Sequence, residues 1–305
     1  MEATENIELG QRHSKSFRIT KAHLEVEPLD DLLLHEKTQK LFKYARATGK
    51  QKELEDEVLD IKEKEQRRKL CQGRDERLNT ALHYSAKAGN LDTSKFLVDQ
   101  GAELNALGQN KMTPVQFAAR YGDVNRGREV WTCMEWMMEE NKRNGEIFVD
   151  ARDDFSILHH AIQNTNWEED PIVVWELIKT RRFNISAPDK QGNTSLHLAA
   201  QFDRQADHTL LEKFLPPYEE KDRLGLDYID PEDLEKCIAA ENKVGMTPLH
   251  VACAVGNPDS VKQLLAIGGR VAKSDLNSTD AYFATKNQLQ KWPKNDLKLP
   301  KIAQK

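Results

Sequence analysis

One short motif recurs five times along this chain, and it restricts the possible folds more than any other feature. It consists of Thr or Ser, any residue, an aliphatic residue, His, any residue, and two small or apolar residues. Its copies begin at Thr80, Thr113, Ser156, Thr194 and Thr247. The fourth position holds His83, Gln116, His159, His197 and His250, at intervals of 33, 43, 38 and 53 residues. Self-similarity at a period of about 20 to 50 residues indicates a solenoid of stacked units.

Each copy also carries the signals that begin a helix. The oxygen of Thr or Ser can accept a hydrogen bond from one of the unpaired backbone N–H groups at a helix start. Pro114 and Pro248 stand at the first helical position, where the missing N–H of Pro costs nothing. A second segment with one apolar stripe follows each copy. The sequence therefore predicts an all-α fold built from pairs of helices.

The best-preserved copies resemble the ankyrin-repeat family. Residues 75–107 read DERLNTALHYSAKAGNLDTSKFLVDQGAELNAL, a near-complete repeat, and residues 242–270 resemble a second copy with an altered closing turn. The resemblance implies an ankyrin solenoid of helix-turn-helix repeats with projecting loops and irregular insertions. It gives a structural role to the motif residues Thr80, His83, Thr113, Pro114, Ser156, His159, Thr194, His197, Thr247, Pro248 and His250.

The two ends of the chain differ from the repeats. Residues 1–28 are polar and aperiodic, which predicts a disordered tail. Residues 29–74 are interpreted as a helical capping region or degenerate repeat, with Leu54, Val58 and Ile61 on one face of a polar outer helix. The solenoid is predicted to span residues 75–285, with five clear repeats and a partial one. Residues 286–305 form a Lys-rich tail.

Composition narrows the range of partners. The net charge of −5 is spread over 305 residues, which gives no reason to expect nucleic acid or an anionic membrane as a partner. Four cysteines that lie far apart favour a reducing compartment over a disulfide framework. No stretch reaches the roughly 20 apolar residues that a membrane-spanning helix needs. We expect a cytoplasmic chain that does not insert into a membrane by itself.

Two histidine features could carry chemistry, and each has a structural alternative. His250 and Cys253 could face one metal ion, but a structural zinc site usually has four ligands. The alternative is that His250 belongs to a hydrogen-bond network of the repeat and Cys253 replaces a packed Ala. His159 and His160 form the one adjacent His pair, and the spacing implies no nucleophile or carboxylate partner. We predict no catalytic residue, no metal and no cofactor.

The resemblance implies a non-catalytic scaffold that binds another protein through the concave face and loop tips of the solenoid. The candidate contacts are loop-tip residues and two tyrosines of the longest insertion, namely Gln109, Asn110, Arg152, Asp153, Lys190, Gln191, Asn242, Lys243, Tyr218 and Tyr228. That insertion spans residues 216–240, and Asp230 followed by Pro231 predicts a short helix within it. The insertion enlarges a loop towards the concave groove, where it either shapes partner choice or is a tolerated surface change.

Two other features have open interpretations. The cluster Trp131, Trp136, Trp167 and Trp175 either packs between repeats or supplies exposed partner contacts. Residues 97–105, LVDQGAELN, resemble an ankyrin segment that is hydroxylated on Asn by the asparaginyl hydroxylase that also acts on hypoxia-inducible factor. Asn105 is therefore either a modification site or the cap of the turn between repeats.

Two further classes of function stand beside the scaffold. An array with irregular insertions is similar to the N-terminal region of transient receptor potential ankyrin-type cation channels. The chain is then a cytoplasmic fragment or short form of a channel and part of a longer membrane protein. The other class is an enzyme with an ankyrin appendage. It is disfavoured because about 90 residues lie outside the repeats, divided between two ends.

Overall fold

The computed structural model describes residues 31–144, 156–164, 172–180, 184–202, 211, 229, 231–256 and 260–265. Throughout these ranges the chain forms helices and turns and no β-strand. The predicted all-α fold of ankyrin type is confirmed. No helix of these ranges is both long enough and apolar enough to cross a membrane.

The helices run in chain order as pairs. The N-terminal part contains α1 (Asp31–Arg46), α2 (Gln51–Leu59), α3 (Lys64–Cys71), α4 (Ala81–Lys87), α5 (Leu91–Asp99), α6 (Pro114–Tyr121) and α7 (Gly127–Arg143), with short 3-10 helices at Gln109–Lys111 and Val124–Arg126. The later part contains α8 (Ile157–Ile162), α9 (Ile172–Lys179), α10 (Ser195–Phe202), α11 (Pro231–Ala239) and α12 (Pro248–Val255). Residues 260–265 are also helical.

The helix pairs stack into two rows. The five helices that follow the motif, α4, α6, α8, α10 and α12, each contact the next in chain order and form the first row. In the second row α2 contacts α5, α5 contacts α7, and α7 contacts α9. At the N-terminal end α1 extends the first row by contacting α4, and it also contacts α2. The pair α1–α2 thus continues the stack, although it lacks the motif.

The core lies between neighbouring helices of these rows. The aliphatic residue of every motif copy is at most 2% exposed, and these residues are Leu82, Val115, Leu158, Leu196 and Leu249. Burying one such side chain stabilises a fold by roughly 1.5 to 3 kcal/mol, an upper value because unfolded chains are partly compact. Ala118, Ala119, Ala199 and Ala200 are fully buried, and their small size suits closely packed first helices.

One expectation for the N-terminal region is wrong. The sequence predicts a single outer helix after residue 50, but the chain forms two helices, α2 ending at Leu59 and α3 starting at Lys64. The apolar stripe explains the break. It runs through Leu54, Val58 and Ile61, and the next positions of the stripe are charged. Burial resumes at Leu70, and α3 contacts both α1 and α2.

The long insertion also differs from its expected position. Its predicted short helix is confirmed as α11. This helix contacts α10 and α12, and it buries Leu234, Cys237 and Ile238. The expectation that the insertion projects as a loop is therefore wrong for this part, because α11 has an apolar face that packs on the stack. Tyr218 and Tyr228 lie outside the described residues.

Candidate partner-binding surface

A tight turn precedes each first helix, and we call these turns fingers. Four fingers are described: finger 1 (residues 75–80), finger 2 (108–113), finger 3 (189–194) and finger 4 (242–247). In each, the first residue donates its backbone N–H to the carbonyl four residues later, at 2.8–3.0 Å. In fingers 1, 3 and 4 the first side chain is Asp75, Asp189 or Asn242. Its Oδ1 accepts from the N–H groups two and four residues later, at 2.7–3.0 Å. Hydrogen bonds within each turn thereby fix the tips.

Neighbouring fingers are also joined to each other. Finger 2 begins with Gly108, which has no side chain to fix the turn, and Asn79 of finger 1 accepts a hydrogen bond from the Gln109 N–H at 3.0 Å. Fingers 3 and 4 are joined twice. The Lys243 N–H donates to the Gln191 carbonyl at 2.9 Å, and the Asn242 amide donates to Asn193 Oδ1 at 2.9 Å. The fingers therefore form paired, preformed projections.

The motif histidines connect each finger to its helix. In all four His copies, Nδ1 accepts a hydrogen bond from the backbone N–H of the motif Thr or Ser at 3.1 Å. Gln116 does the same through Oε1, at 2.9 Å from the Thr113 nitrogen. Because Nδ1 accepts, the proton of the neutral ring lies on Nε2. In His83 this nitrogen donates to the Met112 carbonyl at 3.1 Å, and in His197 to the Met246 carbonyl at 2.8 Å.

Burial favours the neutral rings of His83 and His197. It lowers the pKa of His83 to about 4, although the bond to the Met112 carbonyl opposes that shift. Burial also lowers the pKa of His197. His159 and His160 are both buried, and Nδ1 of His159 is occupied by the Ser156 N–H. The arrangement is that of a structural link between repeats.

The pair His250 and Cys253 has a structural explanation as well. Cys253 holds the motif position that Ala86 holds in the first complete repeat, and both are buried. Burial raises the pKa of the Cys253 thiol to about 11, whereas zinc binds the thiolate. Within the part of the chain that the structure describes, no group of three or more potential ligands comes together.

The candidate loop-tip residues divide into two kinds. Asn110, Lys190, Gln191 and Lys243 are exposed at the tips, and Gln109 is half-buried. The side chain of Asn242 is committed to the turn of finger 4, so its role there is structural. Arg152 and Asp153 lie outside the described residues.

The tryptophan cluster is divided between core and surface. Trp131 is buried, while Trp136 and Trp175 are half-buried, and the Lys179 ammonium lies 5.1 Å from the Trp175 ring centroid. Trp167 lies outside the described residues. Packing in the second row accounts for Trp131.

Asn105 has a defined structural role. Its amide donates to Asn141 Oδ1 at 3.0 Å, and the Asn141 amide donates back at 3.4 Å. Asn141 is fully buried in α7, so this pair ties the turn after α5 to the next repeat. Hydroxylation of Asn105 stays a prediction.

A pocket that sequence reasoning missed lies beside finger 1. It has a volume of about 690 Å³ and is lined by Gln39, Arg46, Asp75, Glu76, Arg77, Tyr84, Lys87, Ala88 and Asp123. We call it the N-terminal pocket. The Arg46 guanidinium lies 3.8 Å from the Tyr84 ring centroid and 3.9 Å from Asp75. The sequence signal for it is that Tyr84 holds a variable position of the motif and that Lys87 directly follows the motif.

The comparison with protein families agrees with this geometry. Residues 58–128 match the family model described as "Ankyrin repeats (3 copies)", and residues 244–281 match the model described as "Ankyrin repeat". The chain is an ankyrin-repeat protein. The channel interpretation is a finer statement that these matches do not address, and it stays a hypothesis.

Several known proteins are similar to this ankyrin-repeat protein. It is 28% identical over 208 residues to "Putative palmitoyltransferase ZDHHC13" of Danio rerio, which covers 66% of this chain and 26% of that protein. It is 30% identical over 179 residues to Inversin of Canis lupus familiaris and 27% identical to Inversin of Mus musculus, covering 58% of this chain and 14% of each relative. The ankyrin-repeat protein thus spans about a quarter or less of the length of these relatives.

A solved structure shows a weaker likeness. It is that of "Bd0816 Predatory Endopeptidase from Bdellovibrio bacteriovorus in complex with immunity protein Bd3460", with a TM-score of 0.43 and 22% sequence identity. The match covers 73% of this chain and 95% of that one. A likeness of this size has no bearing on function.

Proposed function

We propose that this ankyrin-repeat protein is a non-catalytic scaffold that binds another protein. The partner contacts the fingers and the helices of the first row, which together form the surface that we expect to be concave. Ankyrin arrays are protein-interaction scaffolds, and the preformed fingers support the finer proposal. Several of their backbone groups are hydrogen-bonded within and between the turns, while Asn110, Gln191 and Lys243 remain exposed at the tips. A surface that is ordered before binding loses less conformational entropy when a partner arrives.

The groups that usually perform catalysis support the same proposal, because they are committed to the fold. Both ring nitrogens of His83 and of His197 take part in hydrogen bonds. Burial raises the pKa of Cys71, Cys133 and Cys237 to about 12. All four cysteines are free thiols, which supports a reducing compartment and the cytoplasm as the proposed location.

Site-specific photo-crosslinking tests this proposal. A photoreactive amino acid is placed at Asn110, Gln191 or Lys243 on the fingers. The matched control positions are Thr132 and Glu135, which are exposed on α7 of the second row. We expect the finger positions to form a reproducible crosslink to a protein in cells that express the intact chain, and the α7 positions to form none of the same mass. Equal crosslinks from both sets would contradict the proposed binding face.

A further inference from the structure

The N-terminal pocket contains charges of both signs that have no ion-pair partner among the residues that the structure describes. Glu76, Arg77, Lys87 and Asp123 all line it, and none of the four forms an ion pair with another described residue. Arg46 and Asp75 differ, since they approach each other to 3.9 Å. Three basic and three acidic side chains therefore surround one cavity, and two of each sign remain available to a ligand.

The wall of this pocket is fixed before anything binds. The carboxylate of Asp75 accepts hydrogen bonds from the N–H groups of Arg77 and Asn79 and from the Tyr84 hydroxyl. The Tyr84 hydroxyl in turn accepts from the Asn79 amide at 3.2 Å. The Tyr84 ring meets the ring of Phe42 edge-on, with centroids 5.8 Å apart. The positions from which the free charges extend are thus set by the fold.

We propose that the N-terminal pocket is the anchoring site for an extended segment of a partner protein in which an acidic and a basic residue lie close together. The carboxylate of the segment pairs with Arg77 and Lys87, and its cationic group pairs with Glu76 and Asp123. A segment of one sign would meet as much repulsion as attraction, because the pocket is balanced in charge. A volume of about 690 Å³ accommodates several side chains. This inference rests on the scaffold function proposed for the whole chain.

The corresponding surface of the last repeat lacks these charges. When the two repeats are aligned on His83 and His250, the positions of Arg77, Lys87 and Ala88 hold Val244, Ala254 and Val255. Val244 is 80% exposed and Val255 is 49% exposed. The mixed-charge pocket beside finger 1 therefore has no equivalent in the last repeat.

Charge-altered variants of the intact chain test the pocket. Glu76→Lys makes it basic and Lys87→Glu makes it acidic, while Asp123 is left unchanged because its Oδ1 accepts from the Asn125 N–H. The matched controls are Glu135→Lys and Lys142→Glu, which change the net charge equally on exposed sites of α7. Thermal unfolding of each variant verifies that the fold is intact.

The probes are labelled peptides of equal length, measured by fluorescence anisotropy at low salt. The four peptides differ only at their variable positions. These positions alternate Glu and Lys in the mixed peptide, and they are all Glu, all Lys or all Ser in the other three. We expect the wild-type chain and both controls to prefer the mixed peptide. Glu76→Lys shifts the preference to the Glu peptide, and Lys87→Glu shifts it to the Lys peptide. Each lost pair weakens binding about two- to fivefold, as expected for exposed ion pairs.

Two results would overturn the inference. One is a wild-type preference for a peptide of one sign or for the Ser peptide. The other is that the pocket variants and the α7 controls change the peptide preference by the same amount. If the fingers form crosslinks and either of these results is found, the scaffold function is supported and the proposed role of the pocket is rejected. Absence of finger crosslinks would reject the scaffold function itself.

Discussion

Finger 1 and finger 4 have the same hydrogen-bond pattern and display different side chains. Asp75 and Asn242 occupy the same position and accept from the same two backbone groups. Beyond that position the chemistry changes. Glu76 corresponds to Lys243, and Arg77 corresponds to the exposed Val244. Finger 1 therefore presents charges of both signs at these two positions, whereas finger 4 presents one basic side chain beside an exposed apolar one.

The comparison of fingers 1 and 4 distinguishes the residues that form the turn from those that vary between repeats. Both repeats have an Asx oxygen at the first finger position, the motif Thr and the motif His, and these residues form the hydrogen bonds that the two repeats share. Asn242 shows that the charge of Asp75 is not needed for the turn. That charge instead serves the pocket, where it meets Arg46 and the Tyr84 hydroxyl.

Removal of the shared histidine is expected to have the largest effect. His83→Ala leaves the buried Thr80 N–H without its ring acceptor, removes one of the two hydrogen bonds to the Met112 carbonyl and creates a cavity. We expect the free energy of unfolding to fall by about 3 kcal/mol. His83→Gln is the control, because Gln116 already caps its helix with an amide oxygen, and we expect a loss of about 1 kcal/mol or less. Urea denaturation followed by circular dichroism measures both. Equal losses would show that the ring is not a specific link.

Acid should lower the free energy of unfolding by a comparable amount. The folded pKa of His83 is lowered to about 4, so between its unfolded value near 6.5 and about 4 the unfolded state binds more protons. Stability is therefore complete above about 6.5 and is lost as the pH falls towards 4, by about 3 kcal/mol from this residue. His83→Gln should remove that part of the pH dependence. An unchanged slope in the variant, measured by urea titrations over this pH range, would contradict the assignment.

Substitutions at the first residues of fingers 1 and 4 should distinguish the effect of the Asp75 charge on the pocket from its effect on the turn. Asp75→Asn keeps the Asx acceptor but removes the charge beside Arg46. We expect a loss of about 1 kcal/mol, because the Arg46 side chain is about half exposed. The reverse change, Asn242→Asp, gains no cationic partner among the described residues and loses the hydrogen bond that the Asn242 amide donates to Asn193, so we expect a loss of about 1 kcal/mol for that reason. Thermal unfolding at low and high salt separates the two causes, because salt should reduce the loss in Asp75→Asn, which is that of an ion pair. A loss in Asp75→Asn that does not change with salt would show that the charge acts on the turn itself.

The smallest effect concerns backbone conformation at the fourth finger position. Leu78 has φ 67° and is 57% exposed, while Gly245 has φ 76° in finger 4. Left-handed backbone favours Gly, so Gly245→Ala should cost about 1 kcal/mol, although a Cβ there meets no atom within 4 Å. Leu78→Gly should be neutral or stabilise by about 0.5 kcal/mol, since relief of strain offsets the greater freedom of the unfolded chain. A large loss in Leu78→Gly, measured by thermal unfolding, would mean that the Leu side chain stabilises the finger.

The first helices were predictable from the sequence because their signals are local. Thr, Pro and His positions identify where α4, α6, α8, α10 and α12 begin. The start of α1, which lacks the motif, and the break before α3, which depends on packing against α1 and α2, were not predictable. The N-terminal pocket was missed because Gln39, Arg46 and Asp123 reach finger 1 from distant parts of the chain. Spacing in the sequence carries no information on such contacts.

Gln116 has a consequence for how this protein can change over generations. It holds the motif position at which the other four copies have His. Its amide does not titrate, and it is as fully buried as His83. An exchange between His and Gln at this site therefore alters sensitivity to acid without touching the residues that a partner meets. Acid tolerance and partner choice can evolve independently, one repeat at a time.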